Sequence, residues 1–124
     1  MKAGPVRSED RKRVLLVEDE ALVAMLVEDF LTEMGFEVVG PAMRLEPALQ
    51  IAEAAEIDFA VLDINLAGKH SFPIAQVLRQ RGIPFLFASG YGVAGLAEGF
   101  ETAPVLQKPF DRSDLEKAIR AVEQ

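Results

Sequence analysis

The chain has 124 residues, a length typical of one domain, and half of its residues are apolar, enough for a single hydrophobic core. Its formal net charge of −7 argues against a nucleic-acid-binding domain, which needs Lys and Arg side chains to neutralise phosphates. The absence of cysteine and the single histidine, His70, exclude a disulfide framework, thiolate zinc sites and metal sites built on a histidine pair.

The charges are unevenly distributed along the chain. Residues 1–13 carry a net charge of +3 and no apolar periodicity, so we predict a flexible N-terminal arm. Residues 14–124 carry −10 and hold the predicted domain. The longest apolar run, 21–27, is far shorter than the roughly 20 residues of a membrane span. No apolar segment follows the basic start, as it would in a secretory signal, so we expect a cytoplasmic protein without membrane contacts.

The amino-terminal half alternates between short apolar runs and helical periodicities. Apolar runs predict strands over 14–17 and 36–39. Between them, a helix is predicted to begin at Glu20 and to end at Gly35, a residue type favoured after helix ends. Its apolar positions at helical spacing are Leu22, Met25, Leu26 and Phe30. A second helix has Pro47 in its first turn, and its apolar face is Ala48, Ile51, Ala52 and Ala55.

The carboxyl-terminal half repeats the alternation. A third strand is predicted over 57–62, followed by a loop over 63–70. The next helix has Ser71 as its cap and ends at Gly82, and a fourth strand follows over 83–88.

The last part of the chain contains a glycine-rich segment and one more strand and helix. Four glycines fall within 90–99, so a helix there is expected to be short, irregular or mobile. A fifth strand is predicted over 104–106. Ser113 and Glu116 form a predicted capping box, and the apolar stripe of the final helix is Leu115, Ala118, Ile119 and Val122.

Five alternations of strand and helix indicate an α/β fold. They predict a parallel sheet with helices on both faces and right-handed crossover connections. At this length, the flavodoxin-like doubly wound sheet of five strands in the order 2-1-3-4-5 is the natural choice.

Polar residues follow the predicted strands, where ligands bind in such a sheet. Glu18 and Asp19 follow the first strand and Asp63 follows the third, and these two strands are neighbours in the proposed order. Carboxylates at such short range repel one another unless a cation is present. Because the cluster offers oxygen ligands only, it suits Mg²⁺, with Mn²⁺ as an alternative. Glu20 is predicted to be a first-turn residue of the helix rather than a ligand.

Two further residues flank the same position. Ser89 follows the fourth strand and Lys108 follows the fifth, and both suit the binding of oxygens of an anion. This layout predicts phosphoryl transfer onto a carboxylate, with Asp63 as the nucleophile. The cation would bridge Asp63 to the phosphoryl oxygens, Lys108 would pair with another oxygen, and Ser89 would donate a hydrogen bond.

Four short motifs resemble the receiver domains of two-component response regulators. They are Val-Glu-Asp-Glu at 17–20, Leu-Asp-Ile-Asn-Leu at 62–66, Ala-Ser-Gly at 88–90 and Lys-Pro-Phe at 108–110. The resemblance runs from about Arg13 to the end of the chain. It implies the CheY-like form of the fold, a reversible aspartyl-phosphate at Asp63 and a cis peptide before Pro109. The Mg²⁺ ligands that it implies are Glu18, Asp19, Asp63 and the backbone carbonyl of Asn65.

The stretch from Pro84 to Gly92 resembles a narrower group, the FAT GUY subgroup of receivers. That subgroup usually has Thr where this chain has Ser89, so the hydroxyl is kept. Ordinary receivers have an aromatic residue three positions before the lysine, and this chain has Val105 there. The subgroup characteristically lacks that aromatic residue, so the usual aromatic switch is in doubt. We expect the signal to pass through Ser89, Tyr91 and segment 90–99 by a change in order.

The predicted function is that of a stand-alone receiver. The protein is expected to catalyse its own phosphorylation and dephosphorylation, without a separate substrate, and phosphorylation would switch its binding to a target protein. The resemblance implies a sensor histidine kinase, of the HWE or HisKA2 type, or a histidine phosphotransfer protein as partner. His70 is expected to lie exposed in a loop, since the donor histidine belongs to the partner.

Alternative functions make different demands on the sequence. A phosphate sink or shuttle would need no target that prefers the phosphorylated form. An FMN-binding flavodoxin would need a phosphate loop after the first strand, where Glu18 and Asp19 would repel the phosphate. A Toprim-type nucleic-acid enzyme would act on a substrate that the net charge of −10 over 14–124 disfavours.

Overall fold

The computed structural model of the protein describes residues 11–90, 96–97 and 99–123. The greater part of the predicted N-terminal arm lies outside the described residues. Residues 91–95 and 98 of the 90–99 segment, which include Tyr91 and most of the predicted irregular helix, also lie outside them.

The described residues form seven strands and four helices. In chain order these are β1 (Arg13–Val17), α1 (Ala21–Glu33), β2 (Glu37–Ala42), α2 (Leu45–Ala54), β3 (Phe59–Asp63), β4 (Asn65–Leu66), β5 (Lys69–His70), α3 (Phe72–Gln80), β6 (Phe85–Ser89), β7 (Val105–Gln107) and α4 (Arg112–Glu123). Five of the strands form the main sheet, and β4 and β5 form a small antiparallel pair.

The main sheet is parallel throughout, with the strand order β2-β1-β3-β6-β7. This order is the predicted 2-1-3-4-5 arrangement, and the doubly wound fold class is therefore confirmed. Buried side chains form one apolar cluster on each side of the sheet. One cluster joins the sheet to α2 and α3, and the other joins it to α1 and α4. Phe85 and Phe87 of β6 are buried.

Polar residues at the carboxyl ends of the strands belong to the sheet itself. Four strands extend beyond their predicted ends, to Ala42, Asp63, Ser89 and Gln107. Asp63 is paired with Ala88, and Ser89 with Gln107. The strand ends were predicted from apolar runs, which report burial. Strand membership depends on backbone hydrogen bonds, which continue past the last apolar residue, so the predicted strands end too early. The consequence is that the sheet fixes the backbone of both polar residues.

Arg13, which we assigned to the N-terminal arm, is the first residue of β1. It pairs with Glu37 in the parallel ladder. Its guanidinium lies 2.9 Å from the Glu37 carboxylate and also donates to the backbone carbonyl of Glu56 at 2.8 Å. These contacts tie the start of β1 to its neighbours, and the predicted strand boundary at Val14 is one residue late.

The predicted apolar face of α1 is wrong for three of its four residues, whereas the fourth, Phe30, is partly buried and packs against the core. Leu22, Met25 and Leu26 are 82%, 59% and 50% exposed, whereas the buried residues of the helix are Ala24, Val27 and Leu31. Apolar residues cover more than one face of α1, so periodicity alone could not choose which face meets the sheet. Neither α1 nor any other helix in the described part of the chain is long and apolar enough to cross a bilayer.

The predicted loop over 63–70 contains a tight hairpin formed by β4 and β5. Asn65 pairs with His70, and Leu66 pairs with Lys69. The two turn residues between them have positive φ angles, +51° at Ala67 and +87° at Gly68. Two positive φ angles are typical of the mirror-image turns that connect adjacent strands of a hairpin. Alanine is an uncommon choice at the first turn position, which explains why the sequence did not reveal the hairpin.

The glycines predicted to follow helices lie where expected, whereas the predicted side-chain caps at helix starts are wrong. Gly35 and Gly82 follow α1 and α3 with positive φ angles, as expected. The predicted capping box of Ser113 and Glu116 is wrong, because α4 begins at Arg112. Asp111 and Asp114 form the reciprocal box instead, each accepting the other's backbone N–H, at 2.8 Å and 3.1 Å.

Ser71 occupies the N-cap position of α3 but does not cap it through its side chain. The residue is fully buried, and within the described residues its hydroxyl has no hydrogen-bond partner. Its backbone carbonyl accepts the first N–H groups of the helix instead, from Ile74 at 2.9 Å and Ala75 at 3.3 Å. The predicted side-chain cap is therefore wrong, although the predicted helix start is right.

Candidate functional site

The carboxyl edge of the main sheet brings the predicted site residues together. Glu18 and Asp19 follow β1, Asp63 ends β3, Ser89 ends β6 and Lys108 follows β7. A cleft of about 450 Å³ opens at this edge, and its lining residues are Asp19, Glu20, Asp63, Asn65, Gly90 and Lys108. Asn65 is exposed at the start of β4 and forms part of the wall.

Lys108 connects two buried carboxylates across the cleft. Its Nζ donates to Glu18 Oε2 at 2.8 Å and lies 3.4 Å from Asp63 Oδ2. Glu18 is 2% exposed and Asp63 is 8% exposed. The Lys108 backbone N–H also donates to the Ser89 carbonyl at 2.8 Å, which holds the two residues side by side. The Lys108–Pro109 peptide is cis, as the resemblance implied.

Burial is the main reason that the pKa of Asp63 is raised to about 7. The neighbouring Glu18 carboxylate raises this pKa further, and the Lys108 ammonium opposes the shift. For Lys108, burial lowers the pKa, but the hydrogen bond to Glu18 and the charge of Asp63 outweigh burial and raise it overall. The site therefore holds more negative charge than Lys108 alone neutralises, which favours the entry of a second cation.

Asp19 differs from Asp63 in its environment. Partial burial raises its pKa, but the backbone N–H of Ala67 outweighs this effect, together with hydrogen bonds to Asp63 and Glu18, so the pKa is lowered overall. The Ala67 N–H lies 2.9 Å from Asp19 Oδ2. Asp19 is consequently ionised under conditions where Asp63 is still partly protonated.

The donor set fits a hard divalent cation such as Mg²⁺. Glu18, Asp19 and Glu20 each offer a carboxylate oxygen, and these oxygens lie within 4.8 Å of one another. Mg²⁺ prefers oxygen ligands and retains several waters, for which the open cleft leaves room. The prediction that Glu20 lies in the first turn of α1 is wrong. Glu20 lies at the N-cap position of α1, and its backbone N–H donates to Glu18 Oε1 at 3.2 Å.

Val105 occupies the predicted place in β7 and pairs with Phe87. It is half-buried against the apolar cluster beside α2 and α3. An aromatic group that the sequence analysis missed lies close by. The rings of Phe72 and Phe100 stack at 5.3 Å, and Phe87 meets Phe100 edge-on at 5.8 Å. Phe100 directly follows the glycine-rich segment in the sequence, and its ring is buried.

The pH dependence of stability is expected to report the charge state of Asp63. Its folded-state pKa of about 7 lies above the unfolded value of about 3.9, so the folded state binds the extra proton between these values. The stabilising contribution of the Asp63 proton is therefore complete below about pH 4 and is lost as the pH rises to about 7. Above pH 7 this group causes no further change in stability. For the metal-free protein, this loss is expected to be about 2–4 kcal/mol between pH 4 and 8.

Urea unfolding in the presence of a chelator measures this loss. Wild type and Asp63→Asn should be compared at pH 4 and pH 8, since the asparagine variant lacks the titrating group but retains every other carboxylate. We expect the difference in unfolding free energy between the two proteins to grow with pH in favour of the variant. An equal pH dependence in both proteins would show that Asp63 has an ordinary pKa.

The sequence profile of the response regulator receiver domain family matches residues 14–120, which include every site residue described above. The chain belongs to the response regulator receiver domain family. It is therefore a component of two-component signalling, in which receiver domains interact with a histidine kinase or a phosphotransfer protein.

Individual relatives cover most of this chain. The transcriptional regulatory protein PdtaR of Mycobacterium tuberculosis (strain CDC 1551 / Oshkosh) is 32% identical over 123 residues, covering 94% of this chain and 60% of its own length. This chain thus spans about three fifths of the length of that curated relative.

Solved structures give the same picture. The solution structure of SdrG from Sphingomonas melonis Fr1 is 40% identical, with a TM-score of 0.81, covering 94% of this chain and 98% of SdrG. The BeF3-activated conformation of SdrG is 41% identical, with a TM-score of 0.77, covering 90% of this chain and 96% of that one.

Proposed function

We propose that this receiver is a phosphorylation-controlled binding switch in which Asp63 accepts a phosphoryl group from a sensor histidine kinase. One observation carries the proposal. Asp63 is a buried carboxylate at the edge of an open cleft, with the Lys108 ammonium 3.4 Å from its Oδ2 and the carboxylates of Glu18 and Asp19 beside it. This arrangement presents a nucleophilic oxygen next to groups that bind a phosphoryl group and a cation.

The transfer needs little chemistry beyond positioning. The ionised Asp63 oxygen attacks the phosphorus of a phosphohistidine, a P–O bond forms, the P–N bond breaks, and the leaving imidazole takes up a proton. Lys108 would turn from Glu18 to a phosphoryl oxygen, and the Ser89 hydroxyl would donate to another. Both groups stabilise the charge that the transition state places on those oxygens.

A divalent cation, Mg²⁺ or Mn²⁺, fits the same cleft. We assign its ligands to the carboxylates of Glu18, Asp19 and Asp63 and to the backbone carbonyl of Asn65. When bound, the cation would neutralise the clustered carboxylates and the incoming phosphoryl oxygens.

The readout of phosphorylation is proposed to depend on the segment that follows Ser89. The aromatic residue of ordinary receivers is replaced by Val105, which is short and half-buried in β7. We therefore place the switch at Ser89, Tyr91, Val105 and Pro109. The resemblance to the FAT GUY subgroup supports a partner kinase of the HWE or HisKA2 type. Val105 would contribute to the switch through its packing against the apolar cluster beside α2 and α3.

The central test is an intact-mass measurement after incubation with acetyl phosphate and Mg²⁺. We expect a single adduct of about 80 Da, the mass of one phosphoryl group, and none when a chelator removes the cation. The absence of an adduct on wild type, both with acetyl phosphate and with a phosphorylated partner kinase, would contradict the proposed function. A phosphate sink or shuttle would show the same adduct, but no target would prefer the phosphorylated form.

A further inference from the structure

We propose that the β4–β5 hairpin is a positioning element for cation binding, because the backbone N–H of Ala67 holds the Asp19 carboxylate in place. This inference rests on the proposed function, since it concerns the same acidic cleft. It adds a contact made by a backbone group 48 residues away from Asp19 in the chain.

The contact between the hairpin and the acidic cluster is direct. Ala67 N–H donates to Asp19 Oδ2 at 2.9 Å, and the acceptor is ionised, so the bond is charge-assisted. Asp19 is only partly buried, unlike Glu18. A partly exposed side chain is free to rotate unless a fixed donor restrains it. A carboxylate accepts several hydrogen bonds, so the Ala67 contact leaves capacity for a cation.

Contacts that do not involve Asp19 hold the hairpin in position. The Leu66 side chain is 1% exposed and belongs to the apolar cluster beside α2 and α3. The backbone N–H of Ser71 donates to the Ile64 carbonyl at 2.8 Å and closes the base of the hairpin. On the outer side, Lys69 Nζ lies 3.0 Å from Glu46 Oε2 of α2. The turn therefore has a fixed position before any cation enters.

The direction of the Ala67 N–H depends on the turn that Gly68 makes possible. Gly68 has a φ of +87°, and a Cβ added there would meet nothing within 4 Å. Gly68→Ala therefore strains the turn backbone without a steric clash. Gly35 offers a matched control, with a φ of +95° and equally open surroundings. It lies between α1 and β2, at the opposite end of the parallel strands from the cleft.

The test compares Mg²⁺ affinity with stability in these two variants. Calorimetric titration at pH 8 is expected to show a Mg²⁺ dissociation constant raised about three- to tenfold for Gly68→Ala. Gly35→Ala should bind Mg²⁺ within about twofold of wild type, although left-handed alanine costs both variants a similar loss of unfolding stability. If the turn had a purely structural role, Gly68→Ala and Gly35→Ala would both lose unfolding stability, and neither would lose Mg²⁺ affinity.

A second variant removes the donor without changing any side chain. Replacing the Leu66–Ala67 peptide bond with an ester deletes the Ala67 N–H and keeps both side chains, and we expect the Mg²⁺ dissociation constant to rise about fivefold. If Gly68→Ala and the ester variant both bind Mg²⁺ as tightly as Gly35→Ala does, the hairpin does not position Asp19 and the proposal is overturned. A wild-type protein that binds no Mg²⁺ at millimolar concentration would overturn the proposed cation site as well, so the two failures are distinguishable.

Discussion

Asp63→Asn is expected to keep its unmodified mass after incubation with acetyl phosphate and Mg²⁺, whereas wild type gains about 80 Da. An amide oxygen is a poor nucleophile and carries no negative charge to attack phosphorus. Asp63 is buried, its pKa is raised, and a lysine ammonium lies 3.4 Å from its Oδ2. No other carboxylate in the described part of the chain has all three properties. The variant should remain folded, because asparagine has nearly the same size and relieves the repulsion with Glu18.

Asp29→Asn is the matched control for this experiment. Asp29 is an exposed residue of α1, away from the carboxyl edge of the sheet, so its variant should take up the phosphoryl group at the wild-type rate. Far-UV circular dichroism and urea unfolding would verify that both variants fold. An adduct of the same size and rate on Asp63→Asn would show that another residue is the acceptor and would contradict the assignment of Asp63.

Lys108→Met is expected to slow phosphoryl uptake about 100-fold, the usual effect of removing one charge-stabilising donor from a site of this kind. Methionine keeps the length of the aliphatic stem and removes only the ammonium. Lys108 contacts both Glu18 and Asp63, so its charge lies at the place where the transferred oxygens would accumulate negative charge. The time course of the mass adduct measures this effect.

The same variant should also lose stability in a pH-dependent way. Without the ammonium, the buried Glu18 carboxylate lacks its ion pair, and we expect a loss of about 2 kcal/mol in unfolding free energy at pH 8 without metal. The loss should shrink at pH 5, where Asp63 carries a proton and repulsion within the cluster is weaker. Lys117→Met, at an exposed position of α4, is the matched control and should change neither property. Phosphoryl uptake by Lys108→Met at a rate within about threefold of wild type would contradict the role of Lys108.

The sequence by itself was sufficient to predict the strand order of the sheet and the position of the site residues at one edge of it. Five apolar runs separated by helical periodicities admit few right-handed parallel arrangements, and the observed strand order is the predicted one. Because all five strands run in the same direction, the polar residues that follow them must lie along one edge. Asp63, Ser89 and Lys108 are therefore neighbours by topology, whatever the packing of the helices.

Features that depend on competing local solutions were beyond the sequence. Apolar residues cover two faces of α1, and the position of the sheet decides that Ala24, Val27 and Leu31 are buried while Leu22 is not. Two residue pairs could have capped α4, Ser113 with Glu116 and Asp111 with Asp114. The path of the chain after Pro109 selects the second pair.

The hairpin after Asp63 shows most clearly what only the tertiary structure decided. The Ala-Gly pair at its turn is a weak hairpin signal, and the hairpin is held against the domain by the burial of Leu66 in the apolar cluster beside α2 and α3, with the exposed ion pair between Lys69 and Glu46 as an additional contact. Those contacts join segments that are distant in the chain, so no local pattern encodes them. Composition and strand order determine that this small acidic domain gathers carboxylates at one edge. Long-range packing decides how each carboxylate is held there, as the contact between Asp19 and Ala67 illustrates.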